Sequence, residues 1–179
     1  MFLPTRDESE DWLGVVIAVP EPWLSRISEA RLALGDEAGA SVPAHITIMP
    51  PLAVPMDQRE AVFEHLALVA KRHHPFRVTV RGTGSFLPVS PVVFLSVEEG
   101  SRQCEDLADD VRSGPLQYDL RFPYHAHITL AQGLDEPQLE TALALGQEFE
   151  ATWMVPGFRL DRLDASGSYN SAALFDFSS

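Results

Sequence analysis

His45-Ile46-Thr47-Ile48 recurs 82 positions later as His127-Ile128-Thr129-Leu130. In an extended strand successive side chains point to opposite faces, so each copy sets an imidazole and a hydroxyl on one face and two aliphatic side chains on the other. A single His-x-Thr on an apolar strand is ordinarily a hydrogen-bonded core histidine. Here there are two copies, each in an apolar β-type run and each shortly after a proline, Pro43 and Pro123. Brought face to face, they would surround one small anion with two titratable imidazoles and two hydroxyl donors, which is equipment for acid–base chemistry at a phosphate.

Outward from the two motifs, strand and helix signals alternate. Leu13 to Val19 reads as an apolar strand. Trp23 to Leu34 has helical periodicity, with Trp23, Ile27, Ala30 and Leu34 on one side. A glycine- and acid-rich loop, Gly35 to Ala40, precedes the first motif strand, Ala44 to Met49, which Pro50-Pro51 is expected to stop. Asp57 is placed to cap a helix running to about Arg72, and Phe76 to Val80 alternates as a strand.

The second half runs in the same order: strand Val92 to Val97, helix Arg102 to Val111, motif strand Ala126 to Ala131 and a helix from about Pro137 to Phe149. Strands near Thr152 to Leu163 and Ala172 to Phe177 close the chain. Matching elements stand about 77 to 82 residues apart, a coarse internal duplication. The motif strands are short and mixed in polarity, unlike the continuous apolar runs of a buried parallel sheet. The expected fold class is therefore α+β, with two pseudo-symmetric lobes, roughly residues 13–86 and 91–177 in sequence. Each would be a small, largely antiparallel sheet with outer helices, and the two would face one another across a central cleft within one domain spanning 1–179.

Composition limits the partners. The 179 residues carry 26 acidic and 13 basic side chains, for a net charge of −13, and Lys71 is the one lysine. Proteins that grip long nucleic acids neutralise many phosphates with Lys and Arg, so extended duplex or tRNA binding is not expected, while a local pocket for one or two phosphates is compatible. The single cysteine, Cys104, excludes an internal disulfide framework and reads as a packing residue. The charged first dozen residues do not read as a secretory signal, and no apolar run approaches the roughly 20 residues of a membrane span. A cytoplasmic protein, most simply a monomer, without membrane contact is expected.

Paired His-x-Thr-hydrophobic motifs in a duplicated α+β chain of this length resemble the two-histidine phosphoesterase superfamily, which includes 2′-5′ RNA ligase-like proteins and cyclic nucleotide phosphodiesterases. The likeness covers Leu13 to Phe177. It implies that the two motif strands face each other across a cleft, that His45 and His127 are the catalytic pair, and that Thr47 and Thr129 hold phosphate oxygens. After the second motif the chain reads Leu130-Ala131-Gln132-Gly133, with neutral Gln132 where many relatives with RNA activity have an arginine. Together with the acidic charge this ranks ligation behind hydrolysis.

The implied reaction is hydrolysis of a 2′,3′-cyclic phosphate or a 2′-5′ phosphodiester in a small nucleotide or short RNA end, without metal or cofactor. One histidine would take a proton from water while the other gives one to the departing ribose oxygen. Kept beside it are a 2′-5′ RNA ligase, a non-catalytic nucleotide- or phosphate-binding module, and a metal-dependent hydrolase built on His125 and His127. His125 is a candidate third phosphate contact, Tyr124 and Phe86 are candidates to stack on a base, and Arg81, Arg121 and Arg159 are unranked candidates for a phosphate clamp. His65, His73 and His74 read as surface or helix-end positions.

Overall fold

In the computed structural model, which describes residues 3–37 and 42–178, the chain runs β1 (Glu10–Ala18), α1 (Trp23–Ala33), β2 (His45–Pro55), α2 (Arg59–Ala70), β3 (Phe76–Ser85), β4 (Val92–Glu99) and α3 (Ser101–Val111). It continues through β5 (His127–Gln132), α4 (Glu136–Gly146), β6 (Glu150–Val155), β7 (Gly157–Leu163) and β8 (Tyr169–Asp176). The class is α+β, as the short, mixed-polarity motif strands imply. Of the loop expected at Gly35 to Ala40, residues 38–40 lie outside the described residues.

All eight strands join one antiparallel sheet in the order β6-β3-β4-β5-β2-β1-β7-β8. The two motif strands are its central pair. Between β2 and β5 the paired residues are Ile46 and Ile128, so the two four-stranded halves meet at that rung. Those halves do not coincide with the sequence halves 13–86 and 91–177. β3, from the first, pairs with β4 and β6, while β7, from the second, pairs with β1. Thus β3 completes the sheet half built on the second motif strand, and β7, with β8 beyond it, completes the half built on the first. A chain-order boundary cannot express that exchange, because hydrogen bonding between strands depends on position in space.

The alternation inside the motifs decides which face is dry. Ile46, Ile48, Ile128 and Leu130 are buried, and they belong to the same core as Leu66 and Val69 of α2, Leu107 and Val111 of α3, and Leu139 and Ala142 of α4. His45, Thr47, His127 and Thr129 lie on the opposite, half-buried face. Helix α4 begins on a capping box in which Asp135 accepts from the Gln138 backbone N–H and the Gln138 side chain accepts from the Asp135 N–H. Gln138 Nε2 also donates to Leu34 O at 2.9 Å, tying α4 to the end of α1.

Two local expectations are corrected. Pro50-Pro51 does not end the first motif strand: β2 continues to Pro55, and the irregular pairing between Leu13 and Val15 of β1 absorbs the two prolines as a bulge. Asp57 does not cap α2. Met56–Gln58 form one 3-10 turn, and the α-helix starts at Arg59 without a side-chain cap.

Candidate active site

The register turns the two motifs into one four-residue patch. With Ile46 opposite Ile128, antiparallel pairing sets His45 across from Thr129 and Thr47 across from His127. The imidazoles occupy one diagonal and the hydroxyls the other. In a regular ladder such diagonal neighbours are about 7–8 Å apart, a span that one phosphoryl group can bridge with a hydrogen bond on either side.

Each imidazole is anchored identically. His45 Nδ1 lies 2.7 Å from Pro43 O, and His127 Nδ1 lies 2.7 Å from His125 O, the carbonyl two residues upstream in both copies. A carbonyl only accepts, so Nδ1 carries the proton and Nε2 is the basic nitrogen offered to the cleft. Sequence reading noticed the nearby prolines and missed this anchor. Its signal is the strand start, since both histidines open their strands and the residues before them are not yet committed to a ladder.

Burial pushes both imidazoles below their ordinary titration range. For His45 burial is the largest cause, the Pro43 bond and the Asp161 carboxylate pull the other way, and Arg31 and Arg159 add to the lowering. For His127 burial is again first, opposed by the bond to the His125 carbonyl, with His125 itself adding to the lowering. Both are therefore neutral at pH 7 in the free protein, the state that a base needs.

The flanks of the patch differ. Beyond Thr129 on the sheet stands Phe94 and then Gly84, while beyond Thr47 stand Val16 and then Arg159. A Cβ at Gly84 would sit 2.6 Å from the Phe94 ring, so glycine at this position leaves room for the end of that ring against β3. Phe94 and Phe86 pack on each other at 4.5 Å and wall His127 at 5.3 and 5.0 Å between ring centroids. On the other flank the Tyr169 ring lies 5.0 Å from His45, and Arg159 holds the fully buried Asp161 with a two-bond fork at 2.6 and 2.8 Å.

Two cavities meet at Thr47 and Pro50. The larger, about 610 Å³, is lined by His127, His125, Phe86, Val89, Tyr118, Leu120, Phe122 and Tyr124. The smaller, about 200 Å³, is lined by His45, Thr129, Arg31, Gln132 and Tyr169.

The remaining sequence candidates fall into place around this site. His125 lies 5.8 Å from His127 between ring centroids and contacts both phenylalanines, so it belongs to the aromatic wall. Tyr124 lines the larger cavity, but its hydroxyl donates to Thr47 O at 2.9 Å and thereby positions β2. Phe86 is in the wall, edge-on to His127. Arg81 is exposed and paired with Glu98 and Glu150, away from both cavities. Arg121 sits on the lip of the larger cavity beside the Phe122 ring, and Arg159 is tied to Asp161 near His45.

Arg31, Asp161 and Tyr169 were not legible as site residues. Arg31 and Tyr169 line the smaller cavity from α1 and β8, while the buried Asp161 of β7 acts on His45 through its charge, and only the tertiary structure brings those elements together. Cys104 is buried, with its thiol pushed up to about 12 by burial, which suits packing. No three His, Cys, Asp or Glu side chains among the described residues form a group that could hold a metal ion. No helix among the described residues is long and apolar enough to cross a membrane.

Comparison with known proteins agrees with this architecture. The family model of the 2′-5′ RNA ligase superfamily matches residues 19–166. Proteins of Bacillus cytotoxicus and Bacillus thuringiensis, both named for a phosphoesterase activity, are each 29% identical over 126 residues, covering 70% of this chain and 72% of theirs. Among solved structures, Escherichia coli LigT complexed with NADP+ superposes with a TM-score of 0.68 at 19% identity, covering 96% of this chain and 100% of that one. LigT complexed with 3′-AMP gives 0.67 at 20%, covering 95% and 99%. The Thermus thermophilus protein TT0787 gives 0.62 at 22%, covering 93% and 97%.

Proposed function

The chain belongs to the 2′-5′ RNA ligase superfamily, and on that premise we propose that it is a phosphoesterase that opens a 2′,3′-cyclic phosphate, or cleaves a 2′-5′ phosphodiester, in a small nucleotide or short RNA end. One observation carries the reading: two imidazoles, each with Nδ1 committed to the backbone, stand on one diagonal of a patch whose other diagonal is two hydroxyls. That is an acid, a base and two donors around the volume of one phosphoryl group.

In this scheme one imidazole Nε2 takes a proton from the attacking water as its oxygen bonds to phosphorus. The other, protonated, gives its proton to the ribose oxygen as the P–O bond breaks. In-line displacement needs these groups on opposite sides of phosphorus, and the diagonal supplies that. Thr47 and Thr129 would donate to the non-bridging oxygens as negative charge grows there.

The size of the substrate follows from the cavities and the charge. The space suits one nucleotide unit, and a net charge of −13 repels a long polyanion. LigT, of the same fold, has been seen with 3′-AMP and with phosphate, ligands of this class. No metal or cofactor enters the scheme.

The test is incubation of the purified protein with nucleoside 2′,3′-cyclic phosphates, with and without EDTA. Turnover that survives chelation and is lost in both His45→Ala and His127→Ala supports the reading. Binding without turnover would make the protein a nucleotide-binding module, and turnover abolished by EDTA would make it a metal-dependent hydrolase.

A further inference from the structure

Helix α1 buries two positions one turn apart, Ile27 and Arg31, so a guanidinium stands where the pattern of a packed helix calls for an aliphatic side chain. We propose that this group is the anion-holding cation of the site: from α1, Arg31 binds the non-bridging oxygens of the phosphoryl group around which the two motifs are arranged. The assignment rests on the phosphoesterase reading and deepens it, adding a residue that neither copy of the motif encodes.

Placement comes first. The smaller cavity, about 200 Å³, is lined by three of the four motif side chains, His45, Thr47 and Thr129, together with Arg31, Gln132 and Tyr169. The larger cavity meets the patch at Thr47 and His127. A phosphoryl group within reach of both threonines therefore lies at the smaller cavity. Among the described residues lining that cavity, Arg31 is the one permanent cation.

Charge comes next. With a net charge of −13, the chain repels a phosphate unless a local positive group reverses the field. Both motif imidazoles are neutral at pH 7 in the free protein, so neither supplies that charge before the substrate arrives. Arg31 keeps its proton at any working pH and is 5% exposed, where solvent and salt screen it little. Its field reaches the patch, since it is among the groups that disfavour a second positive charge on His45. Arg159 gives its fork to both oxygens of Asp161, and Arg121 stands on the lip of the larger cavity beside Phe122.

Arg31 is also pre-oriented. Asp36, 3% exposed, accepts from Nε and Nη2 through Oδ2 at 2.9 Å, and Nη1 donates to Val42 O at 3.0 Å. These bonds fix the plane of the guanidinium before any ligand binds. Asp36 takes the Nε–Nη2 edge, and the Nη1–Nη2 edge is the second face of the group with the geometry to grip two phosphate oxygens. An anion held there meets a charge whose position needs no rearrangement, the arrangement that favours a transition state in which negative charge grows on those oxygens.

The same bonds would serve a strut, tying Asp36 and Val42 to the end of α1. The two roles part on charge. A strut needs hydrogen bonds and tolerates a neutral pair, whereas an anion site needs the cation.

Arg31→Gln/Asp36→Asn replaces the ion pair by two amides at unchanged net charge and leaves neither charge buried alone. Calorimetry with inorganic phosphate gives the affinity of the whole protein for the anion, and a nucleoside 2′,3′-cyclic phosphate gives kcat and KM. The double variant should bind phosphate at least about tenfold more weakly than the wild type and lose about 10²- to 10³-fold in kcat/KM. Asp36→Asn, which keeps the cation and an acceptor for it, should stay within about threefold of the wild type in both.

Equal losses in Asp36→Asn and in the double variant would make the pair a strut and overturn the proposal. So would a double variant, or a wild type without affinity for phosphate, that leaves the cation with no anion to account for. Should the double variant not fold, the wild type decides: the side-chain N–H resonances of Arg31 should shift on titration with inorganic phosphate, and resonances that stay in place overturn the assignment. Phosphate binding that depends on Arg31 without turnover of any cyclic nucleotide would overturn the phosphoesterase reading and leave the anion site standing. Turnover with phosphate affinity independent of Arg31 would do the reverse.

Discussion

Ile46 and Ile128, both fully buried, face each other across the rung that joins the two halves of the sheet. Their side chains enter the helix-covered core, and the residues on either side of them form the histidine–threonine patch. Truncating either at that rung should therefore loosen the fold and the site together. Ile128→Ala is expected to cost about 2–5 kcal/mol in urea unfolding. Ile128→Val should cost about 0.5–1.5 kcal/mol and preserve turnover.

The tautomer of both histidines is a direct consequence of the 2.7 Å contacts to Pro43 O and His125 O. Nitrogen-15 chemical shifts of the imidazoles at pH 8 should show protonated Nδ1 and unprotonated Nε2 for His45 and His127. The reverse pattern would remove Nε2 as the reacting nitrogen.

Thr47→Val and Thr129→Val keep shape and remove a donor. Each should lower kcat by about 10²- to 10³-fold, the scale of one lost oxyanion donor, with a smaller change in KM. An equal rise in KM at constant kcat would place the hydroxyls in ground-state binding instead.

The lowered pKa of both imidazoles sets the sign of the pH dependence. The acid limb of kcat/KM, which reports the free enzyme, should have its midpoint below 6.5. Stability follows the same sign. Below pH 6.5 the unfolded chain takes up protons that the native imidazoles refuse, so the stability they contribute is present above 6.5 and is lost as pH falls through their folded values. Urea unfolding at pH 7.5 and pH 5.5 should show a decrease that is smaller in the double variant His45→Asn/His127→Asn.

Cys104, buried and with its thiol raised to about 12, should resist alkylation in the native protein at pH 8 and react as one thiol after unfolding.

The four residues at the centre of the site were legible in the chain because their chemistry and their period coincide. A strand of period two puts His45 with Thr47, and His127 with Thr129, on one face in any fold that keeps them extended. The α+β class was legible for a related reason, since the motif strands are short and mixed in polarity, unlike the continuous apolar runs of a buried parallel sheet. The exchange of β3 and β7 between the halves of the sheet was not, because pairing between distant strands leaves no local trace.

Sequence by itself determined the chemistry: a duplicated pair of imidazoles and hydroxyls, each on the polar face of a short strand with an aliphatic back. Only the tertiary structure decided that Ile46 meets Ile128, which sets the diagonal. It also decided that Arg31, Asp161 and Tyr169 gather on one flank and Phe86, Phe94 and His125 on the other. The physical reason is that side-chain direction along a strand is fixed by the backbone every two residues, whereas the neighbours across a cleft are fixed by sheet order and twist, summed over the whole chain.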